Sequence, residues 1–221
     1  MGNLIVFDFD NTLVHSKIDF TAIRHEIFEL LRRSGHPEAE SIDLARLSIG
    51  EIIDAGALHD PGIHDEAWRI VLEYETAGMV AATIEPGAAA TLHGLRDLGF
   101  RLSVMTNNAR PATLAALDLF DMRAAFDLIL TRDEVAMKPD PVGIVRAMET
   151  FAVPAERTVM IGDSWLDGVA AQRASVPFIG FRPRAGILDE RGVPYWTVVE
   201  QLAELIPLLS GPWPGAAEEP A

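Results

Sequence analysis

Two aspartates, Asp8 and Asp10, stand two residues apart directly after the apolar run Leu4-Ile5-Val6-Phe7. On a strand, side chains two apart share a face, so both carboxylates reach one mouth before the chain turns at Asn11-Thr12. Like charges that close raise one another's pKa unless a cation intervenes, which suits a shared proton or a divalent metal. The plain structural alternative is an acid pair that caps the following turn. Polar residues follow three later apolar stretches. Thr106-Asn107-Asn108 comes after Met105 and brings a hydroxyl and a potential nest of backbone N–H groups, and Lys138 precedes Pro139. Gly162-Asp163-Ser164-Trp165-Leu166-Asp167 follows Ile161, and its two acids, four apart, can face one side of a helix's first turn. Taken singly, Thr106 reads as a helix N-cap and Lys138 as a surface lysine. Together they form one cluster of acids, hydroxyl and ammonium.

The elements that must position this cluster alternate. Apolar runs at Leu4–Phe7, Phe100–Met105, Leu128–Leu130, Thr158–Ile161 and Pro177–Gly180 have the style of buried parallel strands. Between them lie helical patterns from Ala88 to Leu98, Pro111 to Leu119, Asp140-Pro141 to Phe151 and Asp167 to Ala174. Strand and helix in alternation predict an α/β fold, a parallel sheet covered by helices. In such a sheet ligands bind outside the strand carboxyl ends, where the candidate residues fall. One segment, 17–83, breaks the alternation with three helical stretches, Phe20 to Arg33, Ile42 to Ala57 and Asp65 to Ala82. They are punctuated by Gly35-His36-Pro37 and His59-Asp60-Pro61-Gly62. After Leu209 the segment SGPWPGAAEEPA reads as a mobile tail.

Composition narrows the chemistry. Among 221 residues, 18 Lys+Arg against 33 Asp+Glu leave a formal net charge of −15, and there is no Cys. That removes disulfides, Cys-ligated zinc, iron–sulfur clusters and thiol catalysis. The charge argues against nucleic acid and anionic membranes as partners, so an anionic substrate must be captured by a local cation. The beginning of the chain lacks a basic region and its apolar run is broken by Asp8 and Asp10, so neither signal peptide nor anchor is expected, and the default compartment is cytoplasmic.

Asp8-Phe9-Asp10-Asn11-Thr12-Leu13, Thr106-Asn107, Lys138-Pro139 and Gly162-Asp163-x-x-x-Asp167, in that order, resemble the four motifs of the haloacid dehalogenase-like hydrolase superfamily. The helical insertion resembles its C1-type cap, as in phosphoglycolate-phosphatase-like members. The resemblance covers residues 1–209, and Asn11 replaces the Gly more usual at its position. It implies a Rossmann-like core from 1–16 and 84–209, a helical cap from 17–83 and a flexible tail from 210–221. It also implies a phosphatase acting on a small phosphorylated molecule. Asp8 would be the nucleophile that forms an aspartyl-phosphate, and Asp10 the acid that protonates the leaving oxygen and then deprotonates water. Thr106 and Lys138 would hold phosphoryl oxygens, with Asn107 beside them at the substrate. Mg2+ would sit among Asp8, the Asp10 carbonyl and Asp163, with Asp167 a more distant ligand or the residue that orients Lys138.

Within the superfamily, an acid at position 10 favours phosphoryl transfer over dehalogenation, because a halide leaves without a proton. A phosphonatase would need a Schiff-base lysine, for which the insertion offers only Lys17. A phosphomutase, or a non-catalytic member that binds a phosphorylated ligand, stands as the alternative. Arg46 and Gly50 resemble an Arg-x-x-x-Gly stretch that in some relatives dips toward the leaving group, so both are candidate substrate contacts in a lid. Their structural alternative is an exposed helix arginine beside a helix-interrupting glycine. Trp68, Tyr74 and Met79 read as cap packing, and His15 as a solvated loop residue or part of the lining of the mouth.

Overall fold

In a computed structural model the protein is described over residues 2–35, 47–57 and 61–213. The chain divides into two compact units, Met1–Ser16 with Ala82–Ala221, and Lys17–Ala81.

The first unit holds a six-stranded parallel sheet of β1 (Leu4–Phe7), β4 (Arg101–Met105), β5 (Leu128–Leu130), β6 (Thr158–Gly162), β7 (Phe178–Phe181) and β8 (Thr197–Val199), in the order β5-β4-β1-β6-β7-β8. All four residues of β1 are fully buried, the near-continuous apolar pattern of a parallel strand covered on both faces. The covering helices are α4 (Ala88–Asp97), α5 (Arg110–Leu119), α6 (Val142–Phe151) and α7 (Trp165–Arg173). On one face Leu4, Val6, Met105, Met160 and Phe178 join Ile144 and Ala147 of α6 and Ala170 and Ala171 of α7 in a single apolar cluster. Two short helices, α8 (Ile187–Glu190) and α9 (Leu205–Leu209), complete the unit.

Register positions the site. Phe7 pairs with Val104 on one side and Ile161 on the other, so β1, β4 and β6 end nearly flush, and Asp8, Thr106 and Asp163 emerge at one edge of the sheet.

The α/β reading holds, with local differences. The edge strand β8 was not anticipated, because three residues after Pro194 are too few to show a period. Nor was the antiparallel ribbon of β2 (Val14–His15) with β3 (Thr83–Ile84), which two-residue strands cannot signal and only the return of the chain creates. The helix expected to start at Asp167 starts at Trp165 because Ser164 caps it, so Asp163 precedes the helix and does not share its first turn with Asp167. Of the segment read as a mobile tail, 210–213 are described. Trp213 stacks on Phe100 with ring centroids 6.1 Å apart, and 214–221 lie outside the described residues.

The second unit contains α1 (Phe20–Arg33), α2 (Ile49–Ala57) and α3 (Pro61–Val80). Pro61, read as punctuation, is the first residue of α3, where a missing N–H costs nothing. Asp19 caps α1 by accepting from Ala22 N–H at 2.8 Å, and Ile23, Ile27 and Leu31 form its buried stripe. Lys17 N–H donates to the Gly78 carbonyl at 3.1 Å, which lays the chain against α3. A Cβ on Gly78 would stand 2.6 Å from Ile18 N and 2.8 Å from Ile18 Cα. Gly78→Ala should therefore destabilise the protein by about 1–3 kcal/mol, despite the roughly 1 kcal/mol that Ala adds in helix propensity. Urea unfolding checks this, and an unchanged or raised midpoint would show that Ile18 moves aside freely.

Candidate active site

Asp8 extends β1 by one ladder bond, its N–H donating to Ile161 O at 2.8 Å. The chain then turns tightly: Leu13 N–H returns to Phe9 O at 2.9 Å and Asn11 takes φ +61°. Asparagine is among the few non-glycine residues that tolerate this left-handed conformation. The turn aims Thr12, fully buried, back at Asp8, and its hydroxyl donates to Asp8 Oδ2 at 3.2 Å. Asp10 accepts from Ser16 at both oxygens, from N–H at 3.1 Å and from Oγ at 2.8 Å. Burial raises the Asp10 pKa above the usual carboxylate range, although the Ser16 bonds pull the other way.

Thr106 follows β4 and continues the ladder through its N–H to Leu130 O at 3.0 Å. Its hydroxyl accepts from Asn108 N–H at 3.2 Å, which leaves the hydroxyl proton for a ligand oxygen. Lys138 is buried, and its ammonium bonds Asp8 Oδ1 and, at 2.6 Å, Asp167 Oδ1. Burial alone would lower the Lys138 pKa, but Asp167 and Asp8 outweigh it and hold it above its ordinary value.

Asp167 is fully buried, and its other oxygen accepts from Ser164 N–H at 3.0 Å in a capping box. Gly162 makes room for it, since a Cβ there would lie 2.4 Å from Asp167 Oδ2.

Asp8, Asp163 and Asp167 each offer a carboxylate oxygen within 4.8 Å of the others. Burial, reinforced by the charges of Asp8 and Asp167, pushes Asp163 up to about 8. Burial likewise lifts Asp167 to about 6, against the pull of Lys138. Lys138 brings a single positive charge to these three carboxylates, so the cluster keeps an excess of negative charge that a further cation would offset. An all-oxygen donor set of this kind fits a hard divalent ion. The carboxylate of Asp10, turned to Ser16, is not part of that set.

The fold thus brings Asp8, Thr106, Lys138, Asp163 and Asp167 to one end of the sheet. Asn107, expected at the substrate, directs one N–H and its oxygen at the Lys138 main chain. Gly50 lies in α2 of the second unit, and Arg46 falls outside the described residues. His15, read as a solvated loop residue or part of the lining of the mouth, is in a strand, β2, and not a loop, and its side chain is partly exposed. Its Nε2 bonds buried Glu85, whose other oxygen receives Arg182. Among the packing candidates, Met79 is buried, while Trp68 Nε1 donates to His64 at 3.2 Å and the Tyr74 hydroxyl to Glu26 at 2.6 Å. Thr12 and Ser16 were missed as supports of the two acids. The only cue in the sequence was a hydroxyl four residues after Asp8 and another six after Asp10.

A family model described as haloacid dehalogenase-like hydrolase matches residues 5–181. A phosphoglycolate phosphatase of Cereibacter sphaeroides is 31% identical over 186 residues, 80% of this chain and 84% of that one. Pyrophosphatase PpaX of Bacillus mycoides is 25% identical over 227 residues, 94% of this chain and 97% of that one. Among solved structures, CbbY from Rhodobacter sphaeroides in complex with phosphate is similar with a TM-score of 0.66 and 27% identity, over 93% of this chain and 96% of that one.

Proposed function

The chain belongs to the haloacid dehalogenase-like hydrolase family, and we propose that it is a magnesium-dependent phosphatase that hydrolyses small phosphate monoesters through an aspartyl-phosphate on Asp8. Its relatives are phosphatases, and one observation carries the finer reading: a buried ammonium bonded to two carboxylates at strand ends, with a third carboxylate alongside. A site built only to bind an anion has no use for the acids, whereas a nucleophile, its neutralising cation and a metal cradle need all of them.

An Asp8 oxygen attacks phosphorus as the ester oxygen leaves and takes a proton from Asp10. The Asp10 carboxylate then takes a proton from water as that water attacks the acyl phosphate, which releases phosphate and restores both Asp8 and the protonated Asp10. The raised Asp10 pKa favours a group that must hold a proton between these half-reactions. Lys138 and the free proton of Thr106 bind phosphoryl oxygens, where charge is greatest. Asp8, Asp163 and the Asp10 carbonyl would hold the metal, whose contribution is to offset negative charge shared between nucleophile and phosphate. Lys17 is exposed, which does not suit a Schiff-base amine activated by desolvation.

The test is turnover of 4-nitrophenyl phosphate. Chelation should abolish it and magnesium restore it. Calcium should inhibit, because its looser coordination lets both Asp8 oxygens engage the metal. Full activity in excess chelator would overturn the metal assignment.

A further inference from the structure

Asn107 directs both ends of its side-chain amide at the main chain of one residue. Oδ1 accepts from Lys138 N–H at 2.7 Å, and Nδ2 donates to Lys138 C=O at 3.0 Å. The pair imitates one step of a β-ladder and ties the end of β4 to the loop that leads into α6. The loop is tied elsewhere too: Arg132 donates to Asn107 C=O at 3.0 Å, Arg173 donates to Pro139 C=O at 3.0 Å, and Asp140 N–H donates to Met137 O at 2.9 Å. Only the Asn107 amide grips Lys138 itself on both sides among these contacts. A lysine ammonium rides on a flexible four-carbon stem, so its position against two fixed carboxylates depends on where its Cα is held.

We propose that Asn107 is a positioning residue: by clamping the Lys138 main chain it places the ammonium between Asp8 and Asp167, and it does not touch the substrate. This rests on the reading that Lys138 holds a phosphoryl oxygen. It departs from the role that the motif resemblance implies for Asn107, because the two bonds fix the plane of the amide against the loop and commit one Nδ2 N–H and one Oδ1 lone pair to the main chain, leaving a single N–H that is not aimed by any other contact.

The test is a double-mutant cycle on inorganic phosphate affinity, measured by calorimetry with magnesium on the full chain. Asn107→Ala should weaken phosphate binding about tenfold in the Lys138 protein but less than about twofold in the Lys138→Met protein. A tenfold loss in both backgrounds would make Asn107 a direct contact and overturn the proposal. Hydrogen exchange provides a second measurement that needs no Lys138 variant. In Asn107→Ala the Lys138 amide should exchange at least about tenfold faster, with Val104 and Ile161 still protected. An unchanged Lys138 rate overturns the clamp. If Lys138→Met bound phosphate as tightly as the parent, the phosphoryl role of Lys138 would fail instead, and the exchange rate would still decide the clamp.

Discussion

Asp8→Asn should eliminate turnover of every phosphate ester, whereas Asp10→Asn should show a dependence on the leaving group. The two acids stand two residues apart but in different surroundings. Asp8 is held and aimed by Lys138 and Thr12, while Asp10 is half-buried and accepts from Ser16 at both oxygens. An alkoxide cannot leave without a proton, so in the phosphorylation step Asp10→Asn should slow alkyl phosphates by about 10²–10⁴-fold. A nitrophenolate leaves unaided, and the loss for 4-nitrophenyl phosphate should be much smaller. Rapid-quench measurement of the first turnover separates the cases. Equal losses with both leaving groups would remove Asp10 from the general-acid role.

Gly162→Ala should damage the site as severely as losing a charged residue, although it adds one methyl group. The new Cβ would lie 2.4 Å from Asp167 Oδ2 and 2.5 Å from its Cγ. Asp167 has no room to retreat, being fully buried and bonded to both Lys138 and Ser164 N–H. If the Asp167–Lys138 bond is lost, a charge-assisted contact of about 1.5–3 kcal/mol goes with it, roughly a ten- to 150-fold drop in kcat/KM. Stability should fall by about 1–3 kcal/mol from overpacking. Because the damage runs through Asp167, Gly162→Ala should cost much less in an Asp167→Ala background. Additive losses in the two variants would mean that the glycine matters for another reason, such as the course of the backbone after β6.

Much of this was legible in the order of residues. Parallel strands buried on both faces must be apolar throughout, so Leu4–Phe7 and Thr158–Gly162 stand out in any reading, and polar residues that follow such runs must emerge at the strand ends. Asp8, Thr106 and Asp163 were found this way, whereas Lys138, in the loop before Pro139, and Asp167, in the helix after β6, were read with the segments that follow the strands. The alternation of strand and helix determined the α/β class, because a parallel connection requires a crossover. Two-residue ribbons have no period, so β2 and β3 were invisible, as was the use of His15 to satisfy a buried carboxylate at Glu85.

Sequence by itself therefore determined which residues emerge at the strand ends, because that follows from one-dimensional pattern and strand polarity. What each does there was decided only by tertiary structure. Asn107 and Thr106 are adjacent and equally polar, yet one hydroxyl keeps a proton for a ligand while the neighbouring amide closes on a backbone 31 residues away. Asp163 and Asp167 are four apart in one motif, yet one is free to meet a cation and the other is bonded to Lys138 and a helix cap. Hydrogen-bond partners of this kind depend on distances between segments far apart in the chain, and local periodicity carries no record of them.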